Sequence, residues 1–332
     1  KMLMPYHRPA GPQGRRFPAV LFLHGFPGLE KSVDIQRALM ARGIATVAPS
    51  FLGSWGSGGQ YRFTTLAAQA RSALAAVRRL PFVDPRRTAV FGFSMGAWAA
   101  LNMAAREPKL RAVVAVACAG GCELVNPEMV GFITRLSRPL RTIAPKALAS
   151  DFKRALTGGD SARAAAKITA PLLLVHGDAD AMIPASVSRR IAKSAGGAVR
   201  LVIERGAGHD FLDRRGRLTR LCAGFLARNL MMAALLLACL APRPARAQSF
   251  AGADFAAALH SGLAEARRIA LLQRPAAVPD AKTPEEVRAG VELNLRGRLP
   301  AAYVSAFFAD KRLRIIDEVS DQFGGAGGGR LL

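Results

Sequence analysis

A serine between two glycines, Gly92-Phe93-Ser94-Met95-Gly96, stands where the apolar run Thr88-Ala89-Val90-Phe91 ends and a helix-compatible segment, Ala97 to Arg106, begins. Strand, tight turn and helix in that order form the context a nucleophile elbow requires. The glycines have a steric reason. A serine held in an unfavourable backbone conformation at a sharp bend needs neighbours without side chains on both sides, so that strand and helix can approach closely. Its hydroxyl then projects above the edge of a sheet. No other stretch restricts the fold as much, because it demands a buried strand on one side and a packed helix on the other.

The chain around it alternates as a parallel α/β sheet should. Pro18-Ala19-Val20-Leu21-Phe22-Leu23 has the continuous apolar character of a strand covered on both faces, and it ends in His24-Gly25-Phe26-Pro27-Gly28. A helix from about Ser32 to Arg42 and a strand, Ile44 to Ala48, follow at the spacing of a right-handed crossover. The glycine-rich stretch Ser54 to Gly59 lacks the lysine and Ser/Thr of a phosphate-cradling loop, so it reads as a loop near the mouth of a site. Leu66, Ala70, Leu74, Val77 and Leu80 share a helix face, after which a turn from Pro81 to Pro85 leads into the elbow strand. A further strand is predicted over Leu110 to Ala117. The opening, Lys1 to Tyr6, reads as the tail of a strand whose beginning is missing.

Between about 123 and 167 the alternation gives way to short helical pieces broken at Pro127, Pro139, Pro145 and Gly158-Gly159, as expected of a lid inserted over the strand ends. Two uses fit its apolar residues Met129, Phe132, Ile133, Leu136, Leu140 and Phe152: core packing, the more common one, and the lining of an acyl pocket. Cys118 and Cys122 read as small buried packing residues. The alternation then resumes. Pro171 to Val175 leads into His176-Gly177-Asp178-Ala179-Asp180, a helix over Ala185 to Ala195 and a strand over Val199 to Ile203 follow, and the turn Gly206 to Phe211 delivers His209. A closing helix is predicted from about Arg214 to Asn229.

Ser94, Asp180 and His209 thus each follow a predicted parallel strand, in the chain order of an α/β-hydrolase triad. On these residues the chain resembles that superfamily, and within it the dienelactone hydrolase and prolyl-oligopeptidase-like branch. H-G-F-P-G at 24 to 28, S-W-G-S-G-G at 54 to 59, G-F-S-M-G at 92 to 96, H-G-D-A-D-A-M-I-P at 176 to 184 and G-A-G-H-D-F at 206 to 211 carry the likeness, which covers residues 1 to about 229. The resemblance implies an α/β-hydrolase fold: a mostly parallel sheet, helices on both faces and a small helical lid. It implies a serine hydrolase that cleaves carboxylic esters through an acyl-enzyme, without a metal or organic cofactor. Ser94 would be the nucleophile, His209 the base and Asp180 the residue that orients it, Asp180 rather than Asp178 because the family's acid lies four residues beyond the histidine of H-G-x-x-D. The oxyanion hole would use the backbone N–H groups of Met95 and Phe26. The chain departs from both relatives. Dienelactone hydrolases usually carry a cysteine where Ser94 stands, and prolyl oligopeptidases carry a β-propeller for which there is no room here. A small-molecule ester is therefore favoured as partner over a peptide; a peptidase or amidase, and a non-catalytic binding protein on the same fold, are the alternatives.

The net charge of +24 would by itself suggest a polyanion, yet the basic residues are scattered arginine pairs such as Arg78-Arg79 and Arg189-Arg190 in an alanine-rich background. No stripe of aromatic and basic residues supports nucleic-acid stacking, and no nucleic-acid partner is expected. The four cysteines are too few and scattered for a disulfide framework, in keeping with a cytoplasmic hydrolase. From Met231 the character changes. Met231 to Ala241 is an apolar core followed by Ala245-Arg246-Ala247, too short for a stable membrane span, which takes about 20 residues. Two readings fit: a signal-peptide-like segment over 230–248, joined with an extension over 249–332 from a downstream reading frame, and an apolar helix packed on the hydrolase. The extension is expected to hold a few helices before its glycine-rich end, and no catalytic constellation.

Overall fold

The computed structural model describes residues 1–240. Its elements are β1 (Tyr6–His7), β2 (Phe17–Leu23), α1 (Val33–Met40), β3 (Ala45–Val47), α2 (Leu66–Arg78), β4 (Val83–Phe93) and α3 (Met95–Ala104). After them come β5 (Val113–Val116), α4 (Pro127–Leu136), α5 (Pro145–Gly158), α6 (Ser161–Ala165), β6 (Leu172–Gly177), α7 (Ser186–Ser194), β7 (Val199–Glu204) and α8 (Arg215–Leu240). The strands form one seven-stranded sheet in the order β1-β3-β2-β4-β5-β6-β7, in which only the β1–β3 pair is antiparallel.

Every residue of β2, β5 and β6 is buried, which explains their unbroken apolar runs: a parallel strand has helices over both faces. Alternate residues serve opposite sides. Ala19, Leu21 and Leu23 pack with Leu66, Ala70, Leu74 and Val77 of α2 and with α3, whereas Val20 and Phe22 pack with Ile35 and Leu39 of α1 and with Leu218, Cys222 and Leu226 of α8. Full burial of one such side chain contributes about 1.5–3 kcal/mol, so both layers are indispensable.

The sheet begins to grow in one direction, from β2 to β3, and then in the other, from β2 to β4. The loops leaving the carboxyl ends of β2 and β4 consequently part toward opposite faces of the sheet, to α1 on one and α3 on the other, which makes this the switch point where ligands bind in open α/β sheets.

Three local findings differ from the sequence reading. The turn expected over Pro81 to Pro85 is partly strand: β4 starts at Val83, and the pairing jumps from Phe17↔Val83 to Ala19↔Thr88. Pro85, which has no N–H to give a ladder, sits inside that irregularity. Cys122 is exposed rather than a packing residue, while Cys118 is buried. The closing helix does not stop near Asn229. No glycine or proline interrupts the chain there, and α8 continues through the apolar stretch as far as Leu240, the last described residue. The rest of the signal-like segment and the whole 249–332 extension lie outside the described residues. Among the described residues, no helix is long and apolar enough to cross a membrane.

Between β5 and β6 the chain makes α4, α5 and α6. Proline opens α4 and α5, where its missing N–H costs nothing, and the Asn126 and Asp160 side chains cap α4 and α6. Ile133, Leu140 and Phe152 are fully packed into the core, leaving Met129, Phe132 and Leu136 half-buried. Arg190 of α7 reaches Glu123 at 2.7 Å and Asp160 at 3.0 Å, fastening both ends of this insertion to one helix.

Candidate active site

Ser94 has φ 53° and ψ −119°, the strained turn that the flanking glycines led one to expect. Its N–H donates to the Val116 carbonyl at 2.8 Å, so the bend is tied to β5. A Cβ on Gly92 would run into the Gly96 carbonyl and lie 2.6 Å from Ala97 Cα; one on Gly96 would run into the Leu23 carbonyl. This packing fixes Ser94 at the carboxyl end of β4, at the switch point of the sheet.

His209 arrives on the loop after β7 and Asp180 on the loop after β6. The His209 Nε2 lies 3.1 Å from Ser94 Oγ and its Nδ1 lies 2.8 Å from Asp180 Oδ2. Phe93, next to the serine, packs against the His209 ring with centroids 5.3 Å apart. The three residues are covered: Ser94 is 7% exposed, and the Asp180 side chain is fully buried. Asp180 Oδ1 also accepts the N–H groups of Met182 and Ile183, each at 2.9 Å. Burial alone would raise the Asp180 pKa; hydrogen bonds from His176 and His209, the His209 charge and the Ile183 N–H outweigh it and hold the carboxyl well below the usual carboxylate range. Asp178 does something else, accepting the Gly206 N–H at 2.6 Å and so shaping the turn that presents His209.

Met95 opens α3 and Phe26 lies in the turn after β2. Neither backbone N–H has a hydrogen-bond partner among the described residues. The glycine-rich loop expected at the mouth is there: Trp55 Nε1 donates to the Pro27 carbonyl at 2.6 Å and stands beside Gly28, whose φ of 103° demands glycine. His24 is a different kind of histidine. Its Nδ1–H donates to the Gly25 carbonyl at 2.7 Å and its Nε2 accepts from the Phe51 N–H at 3.1 Å, which uses both ring nitrogens structurally. Burial, helped by the Lys31 charge and opposed by the Gly25 hydrogen bond, pushes its pKa down to about 3. A base whose folded pKa lies below its unfolded value contributes stability that is full above about pH 6.5 and lost as pH falls toward the folded value. Between pH 6.5 and 4.5 this amounts to about 2 kcal/mol. Denaturant unfolding at pH 7 and at pH 4.5 is expected to show a steeper acid loss for the wild type than for His24→Gln; equal losses would mean that His24 titrates normally.

Two polar residues of the site had no role in the sequence reading. His176 was visible as part of a motif, four residues before Asp180. Ser188, on α7, makes contact with it only through the fold, at 2.6 Å from His176 Nδ1.

The sheet order, the elbow at its switch point and the two covering layers define a class: an α/β protein of the hydrolase fold. The alpha/beta hydrolase family model matches residues 20–221, and the chain belongs to that family. Two uncharacterized proteins of Mycobacterium tuberculosis are 29% identical over 203 residues, 60% of this chain and 66% of each relative, so the match spans just under two thirds of the curated relatives. Among solved structures, the 2,6-dihydroxy-pseudo-oxynicotine hydrolase aligns with TM-score 0.59 and 20% identity over 70% of this chain and 65% of its own. Est1E from Butyrivibrio proteoclasticus, solved with ferulic acid bound, aligns at 0.56 and 21% over 69% and 95%. A Mycobacterium tuberculosis puromycin-hydrolyzing peptidase aligns at 0.55 and 21% over 68% and 37%. At such identities the likeness is one of fold.

Proposed function

We propose that this chain is a serine hydrolase that cleaves carboxylic esters through an acyl-enzyme, with Ser94 as nucleophile. The observation that carries this reading is the unbroken contact chain from Ser94 Oγ to His209 Nε2 at 3.1 Å and from His209 Nδ1 to Asp180 Oδ2 at 2.8 Å. A serine hydroxyl is a weak nucleophile until a base removes its proton as it attacks. His209 Nε2 takes that proton, its Nδ1–H stays on the Asp180 carboxylate, and the charge of the resulting imidazolium is compensated there. The carbonyl oxygen gains negative charge and is received by the Met95 and Phe26 N–H groups. His209 then gives the proton to the leaving alcohol, and a water, deprotonated by the same nitrogen, releases the acid.

An ester is preferred over a peptide as substrate. Est1E, an acetyl xylan esterase and a monoacylglycerol lipase share the fold, as does the peptidase, so the preference rests on the lid, which is a short insertion rather than a peptide-filtering domain. The direct test is labelling with a fluorophosphonate, read by intact mass on the full chain and on Ser94→Ala. One label on the wild type and none on the variant is expected. An unlabelled, folded wild type would reject the reading and favour a binding protein; label combined with cleavage of peptide amides but not of short-chain esters would reject the ester assignment.

A further inference from the structure

Resting on the triad reading above, we propose that His176, with Ser188 behind it, is a positioning residue that holds the Asp180 carboxylate for His209. His176 is fully buried at the end of β6. Its Nε2 faces two acceptors, the Ile183 carbonyl at 2.8 Å and Asp180 Oδ2 at 3.2 Å. A nitrogen lone pair aimed at two oxygens, one of them charged, would be repelled by both, so Nε2 carries the hydrogen. With the hydrogen on Nε2, Nδ1 is the nitrogen left to accept, and the Ser188 hydroxyl, 2.6 Å away and itself buried, is placed to donate to it.

The consequence is a chain of contacts, Ser188 to His176 to Asp180 to His209 to Ser94, in which one carboxylate oxygen meets two histidines. His176 acts on Asp180 twice. It shares its N–H with Oδ2, and it takes the carbonyl of Ile183, the residue whose N–H binds Oδ1. The turn from Asp180 to Ile183 is thereby closed from both sides, with the carboxylate held at both of its oxygens. The titratable groups facing His176 are Asp180 and, beyond it, His209; its partner on α7 is the neutral Ser188. An N–H directed at Oδ2 also draws charge away from the oxygen that compensates the His209 imidazolium. Without it, the imidazolium should be favoured, and the acid limb of the reaction should move to higher pH.

Two amides separate this role from mere filling of space. An asparagine amide takes the place of Nδ1, next to Ser188, whereas a glutamine amide takes the place of Nε2 and can still donate to Asp180 and Ile183. The rate of Ser94 labelling by a fluorophosphonate, followed from pH 5 to 9 on the full chain, needs no knowledge of the substrate. His176→Gln is expected to label at close to the wild-type rate. His176→Asn is expected to be slower by about tenfold or more, the cost of one hydrogen bond to a charged group, with its acid limb raised by about half a pH unit or more. Proton NMR of the ring N–H signals supplies a readout independent of labelling: the His176 Nε2–H resonance should vanish in both variants, and the His209 Nδ1–H resonance should shift in His176→Asn alone. Equal rates, equal acid limbs and an unmoved His209 resonance in the two variants would overturn the proposal. A wild type that never labels would instead reject the triad reading, and the NMR comparison would still decide whether His176 holds Asp180.

Discussion

Ser94→Ala is expected to lower ester hydrolysis by about 10⁴-fold or more while leaving the fold intact. The size follows from what the variant removes. Alanine leaves His209 on Asp180 and the Met95 and Phe26 N–H groups in place, so the residual rate is that of water attacking a carbonyl polarised by the same donors, without a covalent intermediate. On the proposed mechanism the serine and its base act as one unit, so Ser94→Ala combined with His209→Ala should be scarcely slower than either alone, a sharply non-additive pattern. Asp180→Asn should cost about 10⁴-fold by a different route, since an amide can donate to His209 Nδ1 and thereby fix the wrong tautomer. The check is kcat/KM for a short-chain ester across the wild type and these four variants, with thermal unfolding as the control for folding. Multiplying losses in the double variant would show that serine and histidine do not act together.

The parts of this site that could be read from the sequence share one property: each is a short polar or glycine-rich cluster at the end of an apolar run. A parallel sheet buries its strands on both faces, so the runs over 18–23, 88–91 and 171–175 stand out, and the residues that follow them must lie along one sheet edge. Ser94, Asp180 and His209 converge for that reason, and Phe26 and Met95, which follow the ends of β2 and β4, lie at the same edge. What escaped the sequence depends on contacts made at a distance. Ser188 has no local signal, because it is one serine on an amphipathic helix until α7 packs on β6. The start of β4 was hidden by Pro85, whose local preference is for a turn but which the pairing jump accommodates. Cys122, flanked by Gly121 and Glu123 rather than by the alanines around Cys118, leaves the buried β5 end for the exposed beginning of the lid insertion. The change from mixed to apolar composition at Met231 looks like a boundary in the sequence, whereas the methionines, alanines and leucines that follow are strong helix formers and carry α8 through it.

Gly96→Ala is expected to be strongly damaging for a single added methyl, with a loss of about 3 kcal/mol or more of stability. In an exposed helix the same change stabilises by up to about 1 kcal/mol, since glycine is the poorer helix former. Here sterics win. The added Cβ would collide with the Leu23 carbonyl and stand 2.5 Å from the His24 carbonyl, and both are main-chain atoms at the buried end of β2 that no side-chain rotation can clear. The start of α3 must therefore move away from β2. Activity should fall further than stability alone explains, because Met95 moves with the helix while Phe26 stays with the β2 loop, which spreads the two N–H groups apart; a misplacement of about 1 Å can cost about 10²-fold. Gly131, in α4, has nothing within 4 Å of an added Cβ, so Gly131→Ala provides the opposite case, a small gain in stability at unchanged activity. Denaturant unfolding and ester kinetics on both variants decide the matter. If Gly96→Ala were as stable and active as the wild type, the close approach of α3 to β2 would not be what shapes the elbow, and the strained Ser94 conformation would have to be maintained by its hydrogen bond to Val116 instead.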